Sequence, residues 1–145
     1  MRSPITILLA EDNPGDVFLI RRALVKHGFE QVRLDVVEDG QAAIQYFESM
    51  DADSAASAPD LVLLDLNLPR ASGSRILARI RQSPRCKATP IIIVTSSDSP
   101  LDKEAAAQLG ATAYFQKPGD LTQFMQLGQV VRDAFQSAAA QAAGQ

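Results

Sequence analysis

Ile5-Thr6-Ile7-Leu8-Leu9-Ala10-Glu11-Asp12-Asn13-Pro14-Gly15-Asp16 sets an apolar run against two acids and the start of a helix. The run is nearly continuous rather than alternating, as expected of a strand covered on both faces. Asn13 is a cap, Pro14 suits the first helical position and Asp16 places an acid in the first turn. Val17, Ile20 and Leu24 then form a buried stripe, and Gly28 stops the helix. Strand, acidic pair and helix make one βα unit.

Working outward, the unit recurs. Apolar runs lie near 5–10, 32–37, 61–65, 91–95 and 111–116, and all but the second are nearly continuous. Ala42, Ala43, Tyr46, Phe47 and Met50 mark a second helix, and Ile76, Leu77 and Ile80 a third. Ser99-Pro100-Leu101-Asp102 repeats the capping device, with Gly110 as terminator. Asp120 with Gln123 resembles a capping box ahead of Leu121, Phe124, Leu127, Val131 and Phe135. Strands separated by helices of this length imply right-handed βαβ crossovers. The fold class is α/β, a doubly wound (βα)5 with a five-stranded parallel sheet.

At 145 residues the chain reads as a single domain over 1–145, with a core at 4–137. Residues 51–59 read as a surface loop, and 138–145 as a tail that extends the last helix and frays at Gly144. A formal charge of −3 makes no global case for nucleic acid or an anionic membrane as partner. The single cysteine, Cys86, offers neither an internal disulfide nor a thiolate metal site. No run approaches the roughly 18 apolar residues of a membrane span. Arg2 precedes an apolar stretch too short for a signal peptide, so a cytoplasmic protein is expected.

Three further signals stand at or just past strand ends. Asp65 ends Leu61-Val62-Leu63-Leu64, Thr95 ends Ile91-Ile92-Ile93-Val94, and Lys117-Pro118 follows Ala113-Tyr114-Phe115-Gln116. In a parallel sheet these positions converge on the rim where open α/β folds bind ligands. Glu11, Asp12 and Asp65 would crowd three negative charges, which Mg2+ and the Lys117 ammonium together neutralise. Such a site suits phosphoryl transfer, which depends on positioning and on stabilising charged oxygens. Asp65 is the candidate nucleophile and acceptor, Thr95 a hydroxyl for a phosphoryl oxygen, Lys117 a point charge.

With those motifs in place the chain resembles a bacterial response-regulator receiver domain over essentially its whole length. Glu11-Asp12 matches the family's acidic pair, Asp65 its phospho-acceptor, Thr95 its Thr/Ser and Lys117-Pro118 its Lys-Pro. The resemblance implies a flavodoxin-like fold with strand order 2-1-3-4-5. It implies Mg2+, with Mn2+ as a substitute, held by the carboxylates of Asp12 and Asp65, the backbone carbonyl of Asn67, and Glu11 through water. It also implies a cis Lys117–Pro118 peptide and a switch in which Tyr114 moves with Thr95. Residues 11–20 and 63–69 are similar to regulators paired with phytochrome-type histidine kinases, although Leu68 stands where the commoner pattern has Met.

The function so implied is a stand-alone receiver of a phosphorelay, phosphorylated on Asp65 by a sensor histidine kinase, and the closer likeness implies one of the bacteriophytochrome kind. Its output would be an unidentified downstream protein, or a homodimer formed through the fourth helix, fifth strand and fifth helix. It would not be an enzyme beyond its own phosphorylation and dephosphorylation, nor bind DNA directly. A phosphohydrolase of the haloacid dehalogenase type is the rival, but it needs Asp-x-Asp where this chain has Asp65-x-Asn67. A partner-binding module that is never phosphorylated would not need all four signals. His27, the sole histidine, reads as a cation near a helix end. Arg70, Arg75, Arg79, Arg81, Arg85 and Lys87 read either as a solvated helix face or as a basic patch for a partner.

Overall fold

The computed structural model describes residues 4–143; Arg2 and Gly144 lie outside them. Strands β1 (Thr6–Ala10), β2 (Arg33–Val37), β3 (Leu61–Leu64), β4 (Ile91–Thr95) and β5 (Ala113–Gln116) form one parallel sheet, in the order β2-β1-β3-β4-β5. Helices α1 (Pro14–Lys26), α2 (Gly40–Ala52), α3 (Gly73–Gln82) and α4 (Pro100–Gln108) follow the first four strands. After β5 come a single turn, α5 (Leu121–Phe124), and the long α6 (Leu127–Ala143). This is the doubly wound, flavodoxin-like architecture expected from the sequence.

The continuous apolar runs have a direct cause. Successive strand residues face opposite ways, so Leu8, Ala10, Val62, Leu64, Ile91 and Ile93 meet Phe47 of α2 and Ile76, Leu77 and Ile80 of α3. Their neighbours Ile7, Leu9, Leu61, Leu63, Ile92 and Val94 meet Ile20, Ala23 and Leu24 of α1 with Leu127 and Val131 of α6. Both faces are covered, and each buried Leu, Ile, Val or Phe contributes roughly 1.5–3 kcal/mol. β2, paired only with β1, has no fully buried residue, and its polar Arg33 and Asp35 form a salt bridge with each other.

Local chemistry sets the helix ends. Asn13, Asp39, Ser72, Ser99 and Asp120 each accept the N–H three residues on. α2 runs through Ala52, so the loop expected at 51–59 begins at Asp53. Arg85 holds that loop, donating to the carbonyls of Met50, Asp53 and Ala56. The last helix continues to Ala143 and is broken near its start, after Phe124. Gly128 lets α6 lie close to α1: a Cβ there would collide with the His27 ring and the Ala23 carbonyl.

Register places the site. Ala10 pairs with both Val37 and Leu64, and Leu64 with Ile93, so Glu11 and Asp65 leave adjacent strands side by side. Thr95 pairs with Gln116, which brings Lys117 to the same rim.

Candidate functional site

Lys117 is the centre of the rim. Its Nζ lies 2.5 Å from Glu11 Oε1, 2.8 Å from Asp16 Oδ2 and 3.0 Å from Asp65 Oδ2. An ammonium has three N–H donors, and all three are engaged. Its backbone N–H donates to the Thr95 carbonyl at 2.7 Å, which fixes β5 against β4 just below the site. Burial alone would lower the lysine's pKa, but the hydrogen bonds it donates to Asp16, Glu11 and Asp65 outweigh it and hold the ammonium above its ordinary range.

Glu11 is buried, and burial pushes its pKa up from 4.5 to about 7 despite the Lys117 ammonium. Its second oxygen accepts the backbone N–H groups of Asp12 (3.0 Å) and Asn13 (3.2 Å). Asp65 is also buried; its Oδ1 accepts the Asn67 N–H at 3.0 Å while Oδ2 faces Lys117. Asp12 is exposed, and its carboxylate has no hydrogen-bond partner among the described residues. Oxygens of Glu11, Asp12 and Asp65 all lie within 4.8 Å of one another. Three hard oxygen donors at that spacing, one of them free to turn, fit a small divalent cation of the Mg2+ or Mn2+ kind.

Thr95 is fully buried. Its Oγ1 accepts a hydrogen bond from Asn67 Nδ2 at 3.2 Å and lies 3.5 Å from the Ser97 amide. Asn67, expected to serve through its backbone carbonyl, thus connects Asp65 to Thr95 through its amide and side chain. Tyr114 is half-buried, its ring on the sheet face that also carries α4, with Lys103 Nζ of that helix 5.7 Å from its centroid, and its hydroxyl donates to Ser97 O at 2.9 Å. All five residues of the expected acceptor and acidic set, Glu11, Asp12, Asp65, Thr95 and Lys117, are therefore gathered at one rim.

One expectation fails. No cis peptide occurs among the described residues, so Lys117–Pro118 is trans. Trans is favoured by about 0.5–1 kcal/mol even before proline, and Lys117 already reaches all three carboxylates with the bond in that form. One residue was overlooked. Asp16, by sequence a first-turn acid, also belongs to the rim, because the link from β1 to α1 is so short that the first turn of α1 faces it.

Residues 7–129 match the family model described as the response regulator receiver domain. The chain belongs to that family. It is 32% identical over 126 residues to the response regulator Rcp1 of Synechocystis sp., covering 87% of this chain and 85% of Rcp1. The Mn2+-bound form of Rcp1 superposes with a TM-score of 0.77 at 31% identity, covering 88% of this chain and 91% of that one. The phosphorylated cyanobacterial phytochrome response regulator RcpA gives 0.80 at 32% identity, covering 93% and 96%. The receiver domain of the sensor histidine kinase PA1611 from Pseudomonas aeruginosa, with magnesium coordinated in its active-site cleft, gives 0.67 at 28%, covering 88% and 97%. This receiver thus shares its fold with relatives that hold divalent cations, and its own acidic cluster has the composition for one. No described helix is long and apolar enough to cross a membrane.

Proposed function

We propose that this receiver is a phosphorylation switch whose acceptor is Asp65, served by a sensor histidine kinase. The observation that carries the reading is Asp65 itself: buried, bonded to Lys117, and within 4.8 Å of two further carboxylates. Glu11, Asp12 and Asp65 would hold Mg2+, or Mn2+ in its place, with the Asn67 carbonyl as a further ligand. When bound, the ion neutralises charge on the carboxylates and on the incoming phosphoryl oxygens. An Asp65 carboxylate oxygen bonds the phosphorus as the donor's P–N bond to histidine breaks, and the histidine nitrogen keeps that electron pair. Lys117 stabilises the oxygens that carry the charge.

Thr95 and Tyr114 are the switch pair in this reading. Thr95 turns from Asn67 toward the phosphoryl group, and the surface formed by α4, β5 and the α5–α6 segment changes with it. A homodimer through that surface, or a downstream protein bound there, is the output. Leu101 of α4, among the most exposed large apolar side chains described, supports a contact on this side. The likeness to RcpA supports a phytochrome-type kinase as the donor.

Incubation with acetyl phosphate and Mg2+ tests the reading. A mass gain of one phosphoryl group, labile to hydroxylamine and absent from Asp65→Asn, is the expected result. No gain, or a gain that survives Asp65→Asn, overturns it. Sedimentation with and without a phosphoryl analogue tests the dimer separately.

A further inference from the structure

Three carboxylates occupy the three donors of Lys117, so a phosphoryl oxygen can reach this ammonium only if one of them lets go. Glu11 is poorly placed to leave: it is buried, and its other oxygen is fixed by two backbone N–H groups. Asp65 is the acceptor and stays in the site as an acyl phosphate, one carboxyl oxygen bonded to phosphorus and the other left as a carbonyl that still accepts from Lys117. Asp16 differs from both. Its side chain is 24% exposed, against 1% for Glu11 and 8% for Asp65, and Lys117 is its carboxylate's sole hydrogen-bond partner among the described residues.

The helix cap explains why this aspartate faces the lysine. Asp16 stands three residues after the N-cap Asn13, where an acid commonly reaches back to the cap's own N–H. Here the Asn13 N–H donates instead to Glu11 at 3.2 Å, while the Asp16 amide donates to Asn13 Oδ1 at 3.2 Å. The Asp16 carboxylate is left without that partner and spans to Lys117. Asp16 also lies outside the set of carboxylates close enough to share a cation. Its charge is therefore left over when Mg2+ and Lys117 balance Glu11, Asp12 and Asp65.

We infer that Asp16 is a positioning residue that restrains the switch: it holds Lys117 in the unphosphorylated receiver and must release it for the phosphoryl group to be bound. This rests on the reading of Asp65 as acceptor. Two effects of the residue act in one direction, since the Asp16–Lys117 pair stabilises the resting state and its uncompensated charge repels an anionic donor. Removing the charge then favours the phosphorylated state.

The test compares wild type, Asp16→Asn and Asp16→Ala at saturating Mg2+, with beryllofluoride as phosphoryl analogue and acetyl phosphate as donor. In the second arm an Asp65 oxygen bonds phosphorus, the donor's P–O bond breaks and acetate leaves. Both variants are expected to bind beryllofluoride about three- to tenfold more tightly, the scale of one partly buried ion pair, and to phosphorylate faster by a similar factor. Asp16→Glu, which restores the charge, is expected to return both values toward wild type. A purely structural role would lower melting temperature without raising analogue affinity. Affinity and rate unchanged or reduced in both variants, with wild type phosphorylated on Asp65, overturn the inference alone. A wild type that takes up no phosphoryl group overturns the acceptor reading and the inference with it.

Discussion

Tyr114 donates its hydroxyl hydrogen to the backbone carbonyl oxygen of Ser97 across 2.9 Å. Ser97 in turn sets its amide 3.5 Å from Thr95 Oγ1 and donates its own hydroxyl to Asp102 Oδ2 at 2.6 Å. Ser99, the N-cap of α4, donates its N–H to the same Ser97 hydroxyl. One short segment therefore ties the hydroxyl at the site to the ring on β5 and to the first turn of α4. A movement of Thr95 has a contiguous physical route to the outer surface.

Tyr114→Phe separates reception from output. The ring keeps its apolar packing, and the lost hydrogen bond costs about 0.5–1.5 kcal/mol in a urea melt. Phosphorylation by acetyl phosphate is expected to proceed at the wild-type rate, because no Tyr114 atom bonds Asp65, Lys117 or the acidic pair. Phosphorylation-dependent self-association, read by sedimentation, is expected to weaken or vanish. A variant that also lost phosphorylation would place Tyr114 within the reaction rather than downstream of it.

The basic segment at 70–87 divides into two kinds of residue. Arg81 donates to the carbonyls of Gly110, Cys86, Lys87 and Thr89, joining the end of α3 to the loop before β4 and the turn after α4. Lysine cannot reproduce a planar fork. Arg81→Lys is expected to cost about 1–3 kcal/mol in a urea or thermal melt, by leaving carbonyls unpaired. Arg75→Ala, which removes no hydrogen bond that the Arg75 side chain makes among the described residues, is expected to stay near wild type. Equal effects of the two would contradict this division.

These arginines also show which parts of the molecule the sequence could announce. The strands were legible because burial on both faces leaves continuous apolar runs such as Leu61–Leu64 and Ile91–Val94. The site was legible because parallel pairing delivers strand-end residues to one rim, whatever the loops do. What Arg79, Arg81 and Arg85 touch was not legible, since their partners are an aspartate distant in sequence and backbone carbonyls, which carry no side-chain signal. Asp16 was masked by a sufficient local explanation, its place in a helix first turn. The trans Lys117–Pro118 peptide ran against a family expectation rather than a reading of these residues. The end of α2 at Ala52 was missed because the Asp51 that stabilises it is bonded across to α3.

Asp51 gives the molecule a defined acid response. Its Oδ1 accepts from the buried Ser83 hydroxyl at 2.7 Å and its Oδ2 from Arg79 Nη2 at 2.8 Å. The Ser83 bond, then the Arg79 bond, holds its pKa below the usual 3.8. A carboxylate depressed in the folded state contributes stability that is present above its unfolded pKa and lost as pH falls through the folded value. Asp51→Asn is therefore expected to be less stable than wild type at neutral pH, by about 1 kcal/mol. That difference is expected to close below the ordinary aspartate range. Chemical denaturation at a series of pH values checks it, and a gap that persisted under strong acid would assign the effect to packing.

The outer side of α1 and α5 carries a second kind of surface. Phe18, Val25 and Leu121 are 58%, 52% and 56% exposed, and with Met125 they line a groove of about 510 Å³. Arg21, Arg22 and Lys26 belong to the same groove, and Arg22 lies 5.7 Å over the Phe18 ring. Apolar side chains left open beside cations suit a protein segment with an apolar stripe and acidic flanks. A kinase donor must dock on the receiver, whereas acetyl phosphate need not. Phe18→Ala with Leu121→Ala is then expected to slow transfer from the phosphorylated kinase about tenfold, the scale of one lost apolar anchor. Phosphorylation by acetyl phosphate is expected to be unchanged, because neither side chain touches the acidic rim. Equal slowing with both donors would show that the groove supports the fold of the site rather than the donor.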